Sequence, residues 1–451
     1  MGQEEIRFVA RWVLDRCLGA YGPHRGLTLL DVDPAEVHDG ASAVRDLPST
    51  HPGLAPYRQM VHDVHQVGDQ GTLALLLAAG VVEHAHRAMG DGVPRGALLD
   101  GVRLAARQLR TWLPAHSRPI EPEAVLPDWA DVLAGLRRLA EAGTIDLDVV
   151  DIQARDGALW SDGLCMEFHG RGDRPSARIL MIEEGPRRRL AQEATWRVNG
   201  VGAEAAMEQR FLDRLEELGV DVLVVAKALG DLRDRVAARC LVQDDVPEPL
   251  RRRLQTATGA KPVARLDDAT VDDLGIGDVQ WTRRGGWVLQ GPGPGATIRI
   301  GQRGATLASL EKDRAERMLR LCGTLLADPR GLQGGGHWQT DAASALRRMM
   351  DLAPGKSSFG IVCVARALDD VVRALRRQAG LDPLEAHLWD GIHDSSAAVE
   401  AATDAALALA QALLRIDARI SKKESRGVDL RGGTAPAGSP KGMPGDIPPL
   451  M

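Results

Sequence analysis

The feature that most constrains this chain is the order of its secondary-structure patterns, which run helical, then α/β, then helical again. The helical patterns carry apolar residues at helical spacing and lie at 4–20, 72–89, 95–112, 307–326, 342–350, 367–379 and 396–420. The α/β patterns fall between residues 162 and 304, with strands at 178–182 and 220–225 and helices at 203–218 and 232–240. This order predicts an α/β domain inserted into a helical one, with two connections crossing between them.

Length and composition narrow the class of protein. The 451 residues predict about three domains, and 44% hydrophobic residues exclude disorder over most of the length. A net charge of −6 and only 3% aromatic residues argue against nucleic acid as the main partner. The five cysteines are scattered without a Cys-x-x-Cys pair, which predicts neither a zinc site nor disulfides. The acidic start and the short apolar run at 73–82 predict no secretion signal and no membrane partner.

One glycine-rich segment could bind phosphate. Gly68, Asp69, Gln70, Gly71 and Thr72 come directly before a predicted helix, whose first N–H groups could bind an anion while the aspartate holds magnesium. The alternative is an ordinary helix start with nothing bound. A Walker A loop is excluded because the required Gly-Lys-Ser/Thr is missing.

Two other segments have two interpretations each, and a third predicts a turn. His62 and His65 have the i, i+3 spacing of a shared metal site, but histidines without a metal are the stronger interpretation. The glycines at 334–336 allow either the close approach of a ligand or a flexible turn. The run at 291–295, between two apolar segments, predicts a hairpin turn joining strands at 287–289 and 296–300.

Eleven short motifs, taken in chain order, resemble signatures of the group II chaperonins, the family of the archaeal thermosome and the eukaryotic cytosolic chaperonin. Those of the N-terminal part are Tyr21-Gly22-Pro23, His38-Asp39-Gly40-Ala41-Ser42, His51-Pro52, Gly68-Asp69-Gln70-Gly71-Thr72 and Gly101-Val102-Arg103-Leu104-Ala105. Those of the rest are Thr258-Gly259-Ala260-Lys261, Asp273-Leu274-Gly275, Thr297-Ile298-Arg299-Ile300, Gly334-Gly335-Gly336, Gln378-Ala379-Gly380-Leu381-Asp382-Pro383 and Leu414-Arg415-Ile416-Asp417. An unrelated phosphate-binding α/β enzyme would require this shared order to be accidental.

The resemblance implies a multidomain α and α/β protein with the chaperonin fold. Its expected parts are a helical equatorial domain (1–107 and 334–426), a small hinge or intermediate domain (108–162 and 306–333), an inserted α/β apical domain (163–305) and a flexible tail (427–451). It also implies client polypeptides as partners, a homo- or hetero-oligomeric ring, ATP and Mg²⁺ as cofactors, and a cytoplasmic location. Abundant alanine and arginine are typical of a GC-rich coding sequence and suggest a bacterial source.

The same resemblance implies a set of site residues. Asp39 and Asp69 match two of the three catalytic aspartates of the family, and Asp69 matches the one that holds magnesium. The expected cofactor-binding residues are Gly22, Pro23, Gly40, Gly68, Gly71, Thr72, Gly335 and Asp394.

Departures from the family pattern concentrate at the same site. The third aspartate, which orients the attacking water, belongs to an Arg-x-x-x-Asp pattern, and here Leu321 takes its place after Arg317. Loss of such a group typically lowers the rate by about 10²–10⁴, so we expect hydrolysis to be weak or lost. The family segments that align with 127–139, 184–207 and 383–394 are absent or shortened here, and they serve nucleotide sensing, the lid and the adenine side respectively.

Two functions are compatible with these residues. The first is a chaperonin-like protein that binds client polypeptides and assists their folding or assembly. The second is a chaperonin-derived scaffold or dedicated assembly partner without an ATPase cycle, which could co-assemble with an active paralogue.

Overall fold

The computed structural model describes residues 3–18, 21, 28–30, 36–38, 40–46, 52–69, 71–141, 146–154, 159–186, 201–282, 286–300, 305–380 and 391–416. The N-terminal elements are α1 (Gln3–Leu18), β1 (Thr28–Leu30), β2 (Glu36–His38), α2 (Gly40–Asp46), α3 (Ala55–His65), α4 (Thr72–Gly90), α5 (Arg95–His116) and β3 (Arg118–Pro119). Next come α6 (Pro122–Val125), α7 (Ala130–Glu141), β4 (Val150–Ala154) and β5 (Leu159–Asp162).

The remaining elements of the described residues belong to the α/β part and to the helices that follow it. The α/β elements are β6 (Leu164–Met166), β7 (Arg174–Ile182), α8 (Val201–Glu217), β8 (Val222–Val225), α9 (Leu232–Ala237), β9 (Leu241–Gln243), α10 (Glu248–Thr258), β10 (Pro262–Val263), β11 (Gly275–Thr282) and β12 (Gly286–Gln290). The last elements are β13 (Ala296–Ile300), α11 (Ala305–Ala327), β14 (Arg330–Gln333), α12 (His337–Met349), α13 (Ser358–Gln378), β15 (His393–Ser395) and α14 (Ser396–Arg415).

The two helical ends of the chain share one hydrophobic core. Helix α4 lies at its centre and is buried along most of its length, because its sequence from Leu73 to Val82 is wholly apolar or glycine. Helices α1, α13 and α14 pack around it. Of the helices the structure describes, α14 alone is long and apolar enough to cross a membrane, and 50% of its apolar window is buried inside the protein.

The middle of the chain forms a seven-stranded mixed sheet covered by helices on both faces. The strand order is β6-β12-β11-β7-β8-β9, and β10 pairs with β7. Strands β7, β8 and β9 run parallel, as their apolar sequences predict for strands buried on both faces. Helix α10 packs on one face, and α8 and α9 pack on the other.

A smaller core forms where the chain passes between the helical and α/β parts. Strand β13 pairs with β4 and β5 in a three-stranded sheet, and α7 and α11 pack beside it. The predicted hairpin between 287–289 and 296–300 is therefore wrong, because β12 pairs instead with β6 and β11. Strand β13 is buried against partners distant in the sequence, which a local turn pattern does not reveal.

Two late helices begin before their predicted starts. Helix α12 begins at His337 rather than 342, and α13 at Ser358 rather than 367. The added turns bury Trp338 and Ile361 in the helical core. Burial of these side chains outweighs the weak helix propensity of aromatic and β-branched residues.

Candidate functional site

The candidate site is built on the loop of residues 66–71, which joins α3 to α4. The Gly68 N–H donates to the His65 carbonyl at 3.1 Å, and the Asp69 N–H to that of Val64 at 3.3 Å. Asp69 Oδ1 accepts the Gly71 N–H at 2.6 Å, directly before the first residue of α4. The loop therefore holds a carboxylate at the positive end of a helix, where an anion or a metal–phosphate group would also be stabilised.

Both glycines of the loop lie in the left-handed region and are tightly packed. Gly68 has φ +82° and Gly71 has φ +80°. A Cβ on Gly68 would lie 2.3 Å from the backbone nitrogen of Leu321, and one on Gly71 would lie 3.1 Å from Val61. Packing against other parts of the protein thus accounts for both glycines, which agrees with the interpretation of the segment as a helix start.

Two carboxyl groups interact at this site. The pKa of Asp69 is raised to about 6, chiefly by burial; the Gly71 N–H lowers it, the charge of Asp394 raises it, and the charge of Arg317 lowers it. Burial also raises the pKa of Asp394, although Trp338 Nε1 donates to its Oδ2 at 2.9 Å. Repulsion between two desolvated carboxyls favours the neutral form of one of them or a cation nearby.

Strand β15 positions Asp394 against the glycine triplet. A Cβ on Gly334 would lie 3.1 Å from Asp394 Cγ, and Gly335 follows with φ +65° before α12 begins. The structure therefore brings together predicted residues from two distant segments of the chain. Gly40 is the first residue of α2. The predicted residues Gly22, Pro23 and Asp39 lie outside the described residues, as do Gln70 and residues 187–200 and 381–390.

The carboxylates at this site could hold magnesium only if water and phosphate oxygens supplied the other ligands. Across the part of the chain that the structure describes, no three His, Cys, Asp or Glu side chains form a metal-binding group. Magnesium usually takes one or two carboxylates and completes its shell with water and substrate phosphates, so Asp69 could supply one ligand. His62 and His65 do not form a pair: the former is exposed, whereas the latter is buried with its Nδ1 3.2 Å from Arg45 Nη1.

Helix α11 lies directly on the 66–71 loop, and we call it the hinge helix. Thr324 Oγ1 donates to the Val67 carbonyl at 3.1 Å, and Arg320 Nη1 to the His65 carbonyl at 3.3 Å. Leu321, between them, lies with its backbone against Gly68. Position 321 thus faces the loop where the resemblance requires a carboxylate, and leucine can neither accept a proton nor orient water.

A polar cluster between α2 and the hinge helix was not predicted from the sequence. Asp313 accepts hydrogen bonds from Ser42 Oγ and Arg45 Nη1, both at 3.2 Å, and lies 3.2 Å from Arg317 Nη1. Arg317 also donates to Ser42 Oγ at 2.9 Å. The i, i+4 spacing of Asp313 and Arg317 was the one available sequence signal, and by itself it predicts only a surface ion pair.

Comparisons with known proteins extend the resemblance. A model of the TCP-1/cpn60 chaperonin family matches residues 191–388. A thermosome alpha subunit of Aeropyrum pernix is 24% identical over 86% of this chain and 81% of its own length. A thermosome subunit of Pyrococcus abyssi is 23% identical over 77% of this chain and 72% of its own length, and thermosome subunit 1 of Haloferax volcanii is 30% identical over 39% of this chain and 33% of its own.

The fold shows the same resemblance over more of the chain than the family model covers. A group III chaperonin crystallised in the open state superimposes with a TM-score of 0.73, covers 93% of this chain and 98% of its own, and is 18% identical. The predicted chaperonin fold is thereby confirmed. These findings support a divergent relative of the group II chaperonins: the chain is similar to the TCP-1/cpn60 chaperonin family model over residues 191–388 and to thermosome subunits over most of its length.

Proposed function

We propose that this protein is a chaperonin-like subunit that binds non-native client polypeptides and assists their folding or assembly in the cytoplasm. The observation that carries the proposal is a chaperonin fold spanning 93% of the chain. We assign client binding to the α/β domain, residues 163–305, with the equatorial and intermediate boundaries implied by the resemblance. Val271, Ile276 and Trp281 support this assignment because they are 59%, 57% and 60% exposed there, and exposed apolar groups are typical of protein-binding surfaces.

Client binding can be tested by gel filtration of the purified chain with a chemically denatured model enzyme. We expect the denatured enzyme to co-elute and the native enzyme not to do so. Trp281→Ser and Ile276→Ser should weaken the capture, whereas Leu352→Ser should not, because Leu352 is 83% exposed but lies in the helical part. Equal capture by all three variants would argue against the α/β surface.

We further propose that ATP hydrolysis is weak or lost. The support is Leu321, which faces the 66–71 loop at the position of the missing carboxylate. When bound, ATP and Mg²⁺ would supply a phosphoanhydride to cleave and a cation to neutralise it, with Asp69 and the start of α4 holding the phosphate end. A radiolabelled ATP assay tests the proposal: wild-type turnover that Asp69→Ala abolishes would show an active site and contradict it.

The second candidate function is a scaffold without an ATPase cycle, which would co-assemble with an active paralogue. Leu321 favours this function because it replaces the catalytic carboxylate. Negative-stain images of the purified chain separate the cases. Rings formed by this chain alone favour an independent homo-oligomer. Rings that form only after addition of a paralogue favour the dedicated partner, and monomers under every condition would argue against both.

A further inference from the structure

The contact between the hinge helix and the helical core is made by protein side chains at both of its ends. At one end, Thr324 and Arg320 donate to carbonyls of the α3–α4 connection at 3.1 and 3.3 Å. At the other, two turns earlier, Asp313 accepts from Ser42 and Arg45, both at 3.2 Å. Leu321 packs on Gly68 between Arg320 and Thr324.

We propose that Asp313 is the positioning residue of a clasp, formed by Ser42, Arg45, Asp313 and Arg317, that holds the hinge helix on α2 without help from a nucleotide. This inference rests on the proposed function, because it concerns regulation of the same site.

The charges of the clasp explain why Asp313 is its centre. Arg45 and Arg317 are both cationic, and Arg317 is only 3% exposed, so a carboxylate must lie between them to offset their repulsion and desolvation. Asp313 uses Oδ1 for Arg45 and Oδ2 for Ser42 and Arg317, which satisfies both oxygens. Ser42 closes the ring by accepting from Arg317 at 2.9 Å.

The position of the clasp connects it to the candidate site. Arg317 lies close enough to Asp69 to lower its pKa, and it is one helical turn from Leu321. Asp313 therefore holds the guanidinium whose charge acts on Asp69, and release of the clasp would loosen the hinge helix beside the 66–71 loop.

Hydrogen–deuterium exchange of the full chain, measured without nucleotide, tests the proposal. Asp313→Asn should raise exchange about tenfold in the hinge helix and in residues 64–69, since a charge-assisted network of this size contributes about 1.4 kcal/mol. The matched control is Glu316→Gln, which removes one exposed charge from the same helix. Peptides of α10, outside the contact, should not change in either variant.

Three outcomes would overturn the clasp. The first is wild-type exchange in Asp313→Asn, and the second is an equal rise in Glu316→Gln. The third is a gain of more than tenfold in wild-type hinge-helix protection on adding Mg-ATP, which would make the contact nucleotide-dependent. If Asp313→Asn does not fold, Ser42→Ala is measured instead; it should raise exchange about threefold, and no rise there overturns the proposal. Hydrogen–deuterium exchange does not depend on client binding. A failure to capture denatured client would therefore reject the proposed function and leave the clasp untouched.

Discussion

Replacement of Gly68 by alanine tests the contact between the hinge helix and the 66–71 loop. The new Cβ would lie 2.3 Å from the nitrogen, 2.5 Å from the Cα and 2.6 Å from the Cβ of Leu321. Two of these atoms are backbone, so no rotamer change relieves the clash and the hinge helix must move away. Gly92→Ala is a matched control, because Gly92 has φ +83° and a Cβ there meets nothing within 4 Å.

The structure gives the magnitude of each effect. Both variants place alanine in the left-handed region, which costs about 1–2 kcal/mol. Only Gly68→Ala adds overpacking, which costs about 1–3 kcal/mol more. Urea unfolding followed by far-UV circular dichroism should therefore give Gly68→Ala a free energy of unfolding about 1–3 kcal/mol lower than that of Gly92→Ala. Equal losses in the two variants would refute the close contact between Gly68 and Leu321.

Two further predictions concern titrating groups. The folded-state pKa of Asp69, about 6, exceeds its ordinary 3.8, so the charged form costs up to about 3 kcal/mol above pH 6. Asp69→Asn should therefore stabilise the protein at pH 7.5 by up to that amount, and the gain should vanish as the pH falls below about 4. A gain in stability that does not depend on pH would contradict the raised pKa of Asp69. Burial alone would raise the pKa of Glu83, but hydrogen bonds from Arg7, Arg11 and Arg87 lower it to about 2. Glu83→Gln should cost about 3 kcal/mol at pH 7 in thermal unfolding, and the difference from wild type should close as the pH falls from 4.5 through 2; a constant difference would contradict it.

The sequence predicted the elements whose causes are local. Helix α4 and strands β7 and β8 were predicted because their apolar patterns match the periods of a buried helix and of buried strands. The order helical, α/β, helical also survived, since it depends only on which pattern occurs where. The sequence motifs further identified Asp69 and Asp394, which the structure brings within electrostatic range.

What the sequence missed depends on pairing over long distances. Strand β13 joins β4 and β5 rather than the adjacent β12, and no turn signal encodes that choice. The contacts of Asp313 with Ser42 and Arg45 depend on the packing of α2 beside the hinge helix, which no local pattern encodes. Leu321 was singled out only through the family pattern, and its contact with Gly68 required the fold.

The central claim is that this chain binds non-native polypeptides through a chaperonin fold without depending on ATP turnover. The most direct measurement is the light scattering of a chemically denatured model enzyme diluted into buffer with the purified chain, with and without Mg-ATP. We predict that equimolar subunits suppress aggregation to the same extent in both conditions. Aggregation as fast as in buffer alone, with and without ATP, would contradict client binding, and suppression that requires ATP would contradict its independence from turnover.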